Sequence, residues 1–252
     1  MSGVQVALFA TCLIDHFRPQ AGFAAARLLE QAGCEVVVPI QTCCGQPAYN
    51  GGGAKNAAAI ARNVINAFDE YEFVVVPSAS CAGMLKNHYP KLFEKDSKWC
   101  ARAQEFADKT HELFSFLVNI RGIKSFGTEC ARRAAYHDSC SSLREAKCAQ
   151  EARTLLSTVG GLELLDIPDT ETCCGFGGLF SIKYPELSAR MADDKIANIQ
   201  TTGADLLVGP DLGCLIHLAG RLSRAGKRME VRHAAEILAE MMDEPALGED
   251  GS

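Results

Sequence analysis

Two vicinal cysteine pairs, Cys43-Cys44-Gly45 and Cys173-Cys174-Gly175, stand 130 residues apart in a chain of 252. Further cysteines keep step with them. Cys12 matches Cys140 at an offset of 128, and Cys81 matches Cys214 at an offset of 133. The frame is C-x30-CC-x36-C in the first half and C-x32-CC-x39-C in the second. Flanking text agrees: VVVPIQTCCGQP against LLDIPDTETCCGFG, and VVVPSASC against LLVGPDLGC. Self-similarity at a fixed offset marks an internal repeat. The chain therefore reads as a tandem duplication, with one cysteine-rich half at 1–125 and another at 126–252, joined within 119–132.

Composition narrows the classes. With 48% hydrophobic residues and 22% charged, the chain can build a full core. Twelve cysteines are too many to be incidental, yet a chain of 252 residues does not need disulfides to fold. They point to metal or redox chemistry. A net charge of −6 argues against a general nucleic-acid binder. No apolar run reaches the ~18–20 residues of a membrane span, so membrane insertion is not expected. Met1-Ser2-Gly3-Val4-Gln5 has no basic segment ahead of an apolar stretch, so a secretory signal is not expected either.

Apolar runs of strand length fall at 4–10, 36–40 and 73–76, then at 134–136, 162–167 and 206–208. They are continuous rather than alternating, as in parallel strands covered on both faces. Between them lie helical patterns: Ala57, Ile60, Ala61, Val64 and Phe68 share one face, as do Ala152, Leu155, Leu156 and Val159. A last amphipathic helix places Ala234, Ile237, Leu238 and Met241 together. The expected fold is α/β, a tandem duplication of a Rossmann-like βα unit with parallel strands. Every matched cysteine follows a strand, and strand C-termini of a parallel sheet lie along one edge, where such folds place ligands. Helix N-termini at that edge favour thiolates and anionic clusters.

Four cysteines per half, Cys12, Cys43, Cys44 and Cys81 and then Cys140, Cys173, Cys174 and Cys214, are thus candidate metal ligands. Structural zinc takes four thiolates but typically uses spaced knuckle pairs. Adjacent cysteines chelate one ion awkwardly and reach different irons of a cluster readily. Gly45 and Gly175 let the backbone approach inorganic sulfur closely and donate N–H···S bonds. An iron–sulfur cluster, [4Fe-4S], one or two per chain, is the favoured reading. Zinc in one half, or free redox-active thiols, are the alternatives.

On these residues the chain resembles the cysteine-rich CCG-domain proteins, which include the B subunit of heterodisulfide reductase and the iron–sulfur subunit of glycolate oxidase. Within them it is most similar to the lactate-utilisation protein A family, through VALFATCLIDHFRP, QTCCGQPAYN, YHDSCSSLRE and ETCCGFGGLFS. The resemblance implies a cytosolic subunit that works with other iron–sulfur subunits to oxidise L-lactate, a small 2-hydroxy acid, to pyruvate. In the heterodisulfide reductase relative each half ends C-x-x-C, and a fifth cysteine helps hold a non-cubane cluster. Here Met84 and His217 occupy those places. Met84 reads as core and His217 as a packed or hydrogen-bonded histidine, so a four-thiolate cluster, or one with an open iron, fits better. Two further classes stay open: a thiol–disulfide subunit of the heterodisulfide reductase kind, and a zinc-stabilised binding module. No flavin or nicotinamide fingerprint is present, and the Gly-rich loops at 46–53 and 176–179 lack the G-x-G-x-x-G and Walker patterns. The chain alone is expected to be inactive on lactate.

Other residues take plainer readings. His137 and Asp138 suit a supporting hydrogen bond at a strand end, with orientation of a substrate or the cluster loop as the alternative. Asp15, His16 and Arg18 suit an exposed turn before a helix at Pro19, with contact to a carboxylate substrate or a partner as the alternative; Arg144 and Glu145 read alike. His233 reads as a cap or packing residue. Cys34, Cys100, Cys130 and Cys148 lack repeat partners; Cys34 is expected in a core, and Cys148 in helix packing. The tail EPALGEDGS is expected to fray.

Overall fold

The computed structural model describes residues 3–249. The first half holds strands β1 (Val4–Leu8), β2 (Cys34–Val37), β3 (Phe73–Val76) and β4 (Thr110–Glu112), in the order β2-β1-β3-β4. The second holds β5 (Arg133–Tyr136), β6 (Glu163–Asp166), β7 (Leu206–Gly209) and β8 (Glu230–His233), in the order β6-β5-β7-β8. All six pairings are parallel, with Val6 opposite Val36 and Phe73 in one sheet and Ala134 opposite Leu164 and Leu206 in the other. The duplicated α/β architecture read from the cysteine frame is therefore the architecture found.

The strands differ from expectation in ways their positions explain. Central β1, β3, β5 and β7 are nearly all buried, as continuous apolar runs require. Edge strands β2 and β6 are half-exposed, and the run expected at 36–40 stops at Val37, leaving Ile40 98% exposed. β4 and β8 carry too many polar residues to show as apolar runs, and Thr110, Glu112, Arg232 and His233 are buried there. Residues 46–50 form a short helix, Gln46–Asn50, where a glycine-rich loop was expected.

The halves share one core. Leu28, Leu29, Phe114 and Phe116 from the first pack with Tyr136, Leu155, Leu156, Ile237 and Leu238 from the second. Each such side chain contributes about 1.5–3 kcal/mol by leaving water. The last helix is shorter than its sequence pattern suggests. It spans Ala234–Leu238, is buried on every side, and packs on the helix Pro19–Gln31, while half-buried Met241 lies beyond its end. Arg18 anchors this junction. Rather than lying on an exposed turn, it is buried and gives Glu236 Oε1 hydrogen bonds from Nε at 2.9 Å and Nη2 at 2.6 Å. The tail does not fray as far as it is described. Leu247 N donates to Val231 O at 3.0 Å and Ala246 is buried; the rest of the tail, 250–252, lies outside the described residues.

Candidate metal centre

Each matched cysteine is placed by a strand end and the turn after it. In the first half Thr11 caps the helix Cys12–Phe17, its Oγ1 accepting from Ile14 N at 3.4 Å. Ser78 caps the helix Ala79–Gly83, its Oγ accepting from Cys81 N at 3.4 Å. Such caps satisfy first-turn N–H groups and point helix N-termini at the site. Ser139 plays the part of Thr11 in the second half, accepting from Ser142 N at 3.0 Å ahead of the helix Cys140–Arg144. Cys214 lies in the first turn of the helix Leu212–Arg224.

Both vicinal pairs ride on a left-handed glycine. Gly45 has φ 81° and Gly175 φ 86°, and each N–H donates to the first sulfur of its pair, Cys43 Sγ or Cys173 Sγ, at 3.4 Å. These turns favour glycine. The N–H···S contact found is made to the cysteine sulfur, not to the inorganic sulfur expected from the sequence.

The sulfurs converge. Cys12 Sγ lies 3.7 Å from Cys43 Sγ, and Cys44 Sγ 3.2 Å from Cys81 Sγ. Cys140 pairs with Cys173 and Cys174 with Cys214 in the same sense. All twelve cysteines are free thiols. Hydrogen bonds from Cys12 and Cys44, joined by the Gly45 N–H, hold the Cys43 thiol down at about 2. Cys140, Cys174 and Gly175 hold Cys173 at about 2 in the same manner. Cys12 and Cys140 are pushed up, each by donating a hydrogen bond to that neighbouring sulfur and then by burial. Each set thus presents a thiolate, the form that binds metal.

Cys12, Cys43, Cys44 and Cys81 line a cavity of about 110 Å³, and Cys140, Cys173, Cys174 and Cys214 line one of about 200 Å³. Gln46, Ser80, Phe176, Gly178 and Asp211 line both, so the two sulfur sets face a common wall between the halves. Asp211 closes that wall by accepting from Ser80 N at 2.9 Å and Ser80 Oγ at 3.2 Å. A set of four soft sulfur donors, one already ionised, at helix N-termini suits an iron–sulfur cluster or zinc. Among the described residues no lysine, arginine or histidine lines either cavity.

The remaining candidates fall outside the sulfur sets, with one exception. Met84 is fully buried in the first-half core. His217 Nε2 lies 3.1 Å from Ser188 Oγ, which also donates to Gly175 O at 2.8 Å, so this histidine braces the second CCG turn. Asp138 takes a two-pronged contact from Arg153, 3.1 Å from Nε and 2.5 Å from Nη2. Asp15 and His16 border an open cleft of about 340 Å³ beside Cys12 and Cys43. Arg144 is exposed, and Glu145 O accepts from Asn87 of the first half at 2.9 Å. His233 caps the last helix through Nδ1, which accepts from Ala235 N at 3.2 Å. Cys34 and Cys130 are buried away from the sulfur sets, and Cys148 precedes the helix Ala149–Leu156 beside Glu112. The exception is His137. It is buried, its pKa is pushed down to about 3 by burial and then by Lys195, and it sits against the second sulfur set. The sequence signal for it was the HDSC tetrapeptide, which by itself does not separate a ligand from a supporting residue.

This paired arrangement of CCG turns defines a class, and the cysteine-rich (CCG) domain matches residues 6–86 and 134–219. The chain belongs to that family. It is 45% identical over 236 residues to Lactate utilization protein A of Bacillus velezensis, covering 93% of this chain and 99% of that one. It is 46% identical, with the same coverage, to Lactate utilization protein A of a Geobacillus species. Among solved structures, a hypothetical protein from Helicobacter pylori superposes with a TM-score of 0.64 at 14% identity, over 96% of this chain and 49% of that one. The chain thus spans about half of that protein, and the likeness is one of fold. Among the described residues no helix is long and apolar enough to cross a membrane.

Proposed function

We propose that this chain takes part in lactate utilisation as a cytoplasmic iron–sulfur subunit, and that its two cysteine-rich halves, 1–125 and 126–252, each hold a cluster of the [4Fe-4S] class. Cys12, Cys43, Cys44 and Cys81 would ligate in the first half, and Cys140, Cys173, Cys174 and Cys214 in the second. The observation that carries this reading is that all four matched sulfurs of each half line a single cavity. Such a cluster supplies reversible one-electron transfer when bound. The residues around it do the rest: Gly45 and Gly175 N–H groups lower the charge on the first sulfur of each pair, and the Ser80–Asp211 bond holds the two cavities side by side.

Oxidation of a 2-hydroxy acid removes two electrons and needs an acceptor such as flavin or nicotinamide. A lactate carboxylate also needs a cationic partner, and neither cavity offers one. Both points favour a chain that passes electrons to or from other iron–sulfur subunits and does not turn over lactate alone. Buried Met84 and the engagement of His217 with Ser188 count against a fifth thiolate of the disulfide-reducing kind. Zinc is the second reading: a tetrahedron with Zn–S of about 2.3 Å has an edge of about 3.8 Å, which the 3.7 Å between Cys12 and Cys43 sulfurs meets and the 3.2 Å between Cys44 and Cys81 sulfurs does not.

Metal analysis of anaerobically purified protein tests both. Cys44→Ser and Cys174→Ser should each remove about half of the iron and sulfide, while Cys34→Ala and Cys100→Ala should leave them unchanged. Equal iron in all four variants would sink the ligand assignment, and zinc in place of iron would favour the second reading. Lactate:dye reductase activity should be negligible for the purified chain, restored with its iron–sulfur partners, and abolished again by Cys173→Ser.

A further inference from the structure

Among the described residues, two neighbouring buried side chains of the second half, Tyr136 and His137, have no hydrogen-bond partner, and only His137 faces the sulfurs. His137 is 1% exposed, and neither Nδ1 nor Nε2 has a hydrogen-bond partner. Leaving a buried polar group unpaired costs about 1–3 kcal/mol, and native proteins seldom tolerate it without a reason. The polar groups nearest in sequence and space are committed elsewhere. Asp138 is held by Arg153, Ser139 by Ser142, and Lys195 Nζ by Asp169 O and Thr170 O at 3.1 Å each. What His137 does face is sulfur: one of its ring nitrogens, Cys174 Sγ and Cys214 Sγ all lie within 4.8 Å of one another.

The duplication supplies an internal control. His137 N donates to Val208 O at 2.8 Å, and Phe9 N donates to Val75 O at 2.8 Å, each three residues ahead of a matched cysteine. The two residues therefore occupy one backbone position in the repeated unit. Phe9 is fully buried and packs on Phe68 with ring centroids 5.5 Å apart, so in the first half this position is core and can ligate nothing. A fold satisfied by phenylalanine there has no packing need for imidazole.

We propose that His137 is a nitrogen ligand of the second-half metal centre, alongside Cys174 and Cys214. Imidazole is a ligand for both iron and zinc in mixed sulfur–nitrogen sets. The second half then offers five donors, four thiolates and the His137 imidazole, where the first offers four thiolates, so the two centres are chemically unequal. The inference rests on the metal-binding reading above and adds to it a residue outside the cysteine frame.

The test uses the full chain, purified anaerobically with ¹⁴N- or ¹⁵N-histidine, as wild type, His137→Gln, His137→Phe and His217→Gln. Metal content is measured first. Pulsed EPR of the paramagnetic form should then show a nitrogen coupling that shifts with the histidine isotope. It should persist in His217→Gln and be lost in both His137 variants. His137→Phe installs the side chain the fold already accepts at the equivalent position, and the wild-type isotope comparison needs no variant. If the metal is zinc, absorption at the zinc edge should count one imidazole in wild type and none in the His137 variants. Bound metal without histidine nitrogen, or a histidine signal that persists without His137, overturns the proposal. Protein carrying no metal overturns the metal reading itself, and the metal analysis tells the two failures apart.

Discussion

The two cysteine cavities share a frame and differ in lining. Both are built from a capped helix, a CCG turn on a left-handed glycine, and a second helix N-terminus. Behind the sulfurs the second half carries more charged and titratable groups than the first. Phe9 is replaced by His137, and the cap Ser78 by Asp211. Gly45 faces Ala57 O and Ile60 where Gly175 faces Ser188 O and Met191; four residues on along those helices, Val64 is replaced by Lys195. Lys195 is fully buried, and burial pushes its pKa down. Asp211 gives up capping its own helix and reaches across to Ser80 instead. The backbone repeat sets where sulfur goes, while the second layer is free to diverge, so the cavities need not hold equivalent centres.

The largest effect should come from breaking an asymmetry at the same edge. Arg18 follows Cys12 by six residues, and the residue six after Cys140 is Ala146. Arg18 pairs with Glu236, whose side chain is 0% exposed, and so ties the first half to the last helix. Arg18→Ala leaves a buried carboxylate with the His233 N–H at 2.8 Å and no cation nearer than Arg232 at 3.8 Å, and should cost about 3–5 kcal/mol in denaturant unfolding. Ala146→Ser should stay within about 0.5 kcal/mol. Equal effects at the two positions would mean that the junction does not depend on this ion pair.

That junction was illegible in the sequence, and the reason is physical. The cysteine frame and the apolar runs repeat because each half must place its own sulfurs and cover its own central strands. An arginine that meets a glutamate 218 positions away leaves no periodic trace. β4 and β8 escaped for a related reason: as outer strands they tolerate Thr110, His111, Glu112, Arg232 and His233, so no apolar run announces them. The eight cysteines that line the two cavities were legible from spacing alone. His137 was visible only as a histidine near a cysteine, and its lack of partners could be seen only once the residues around it were placed.

A second, smaller contrast lies in the CCG turns. A Cβ on Gly175 would meet Ser188 O at 2.6 Å and Met191 Cβ at 2.9 Å, whereas on Gly45 the nearest atom is Ile60 Cγ2 at 3.2 Å. Both substitutions carry the left-handed penalty of about 1–2 kcal/mol. Only at Gly175 must backbone also move. Gly175→Ala should therefore cost about 3 kcal/mol and Gly45→Ala about 1–2 kcal/mol, and Gly175→Ala should lose more metal. The reverse order would show that the second turn is the more adaptable of the two.

The smallest effect concerns the caps that end the two outer strands. Glu112 ends β4 and caps the helix after it, as His233 ends β8, and both are buried. Burial pushes Glu112 up to about 8, and burial pushes His233 down, so both caps are neutral near pH 7. Their pH signatures are opposite. Below the unfolded value of 4.5 Glu112 is protonated in both states, and its stability contribution is fully present. As pH rises from there to about 8, the unfolded chain releases a proton that the native state keeps, and stability is lost. For His233 the unfolded chain takes up a proton below 6.5 that the native state refuses, so stability is lost as pH falls. Glu112→Gln keeps an oxygen to accept from Ser115 N, now 2.9 Å from Glu112 Oε2, and removes the titration. The variant should gain on wild type by about 1 kcal/mol between pH 6 and pH 7, measured by denaturant unfolding under reducing conditions. His233→Gln should show no such gain between pH 7 and pH 8. A constant gap between Glu112→Gln and wild type across pH 5–8 would mean that Glu112 is already ionised in the native fold, and the two caps would then differ in charge as the two cavities differ in lining.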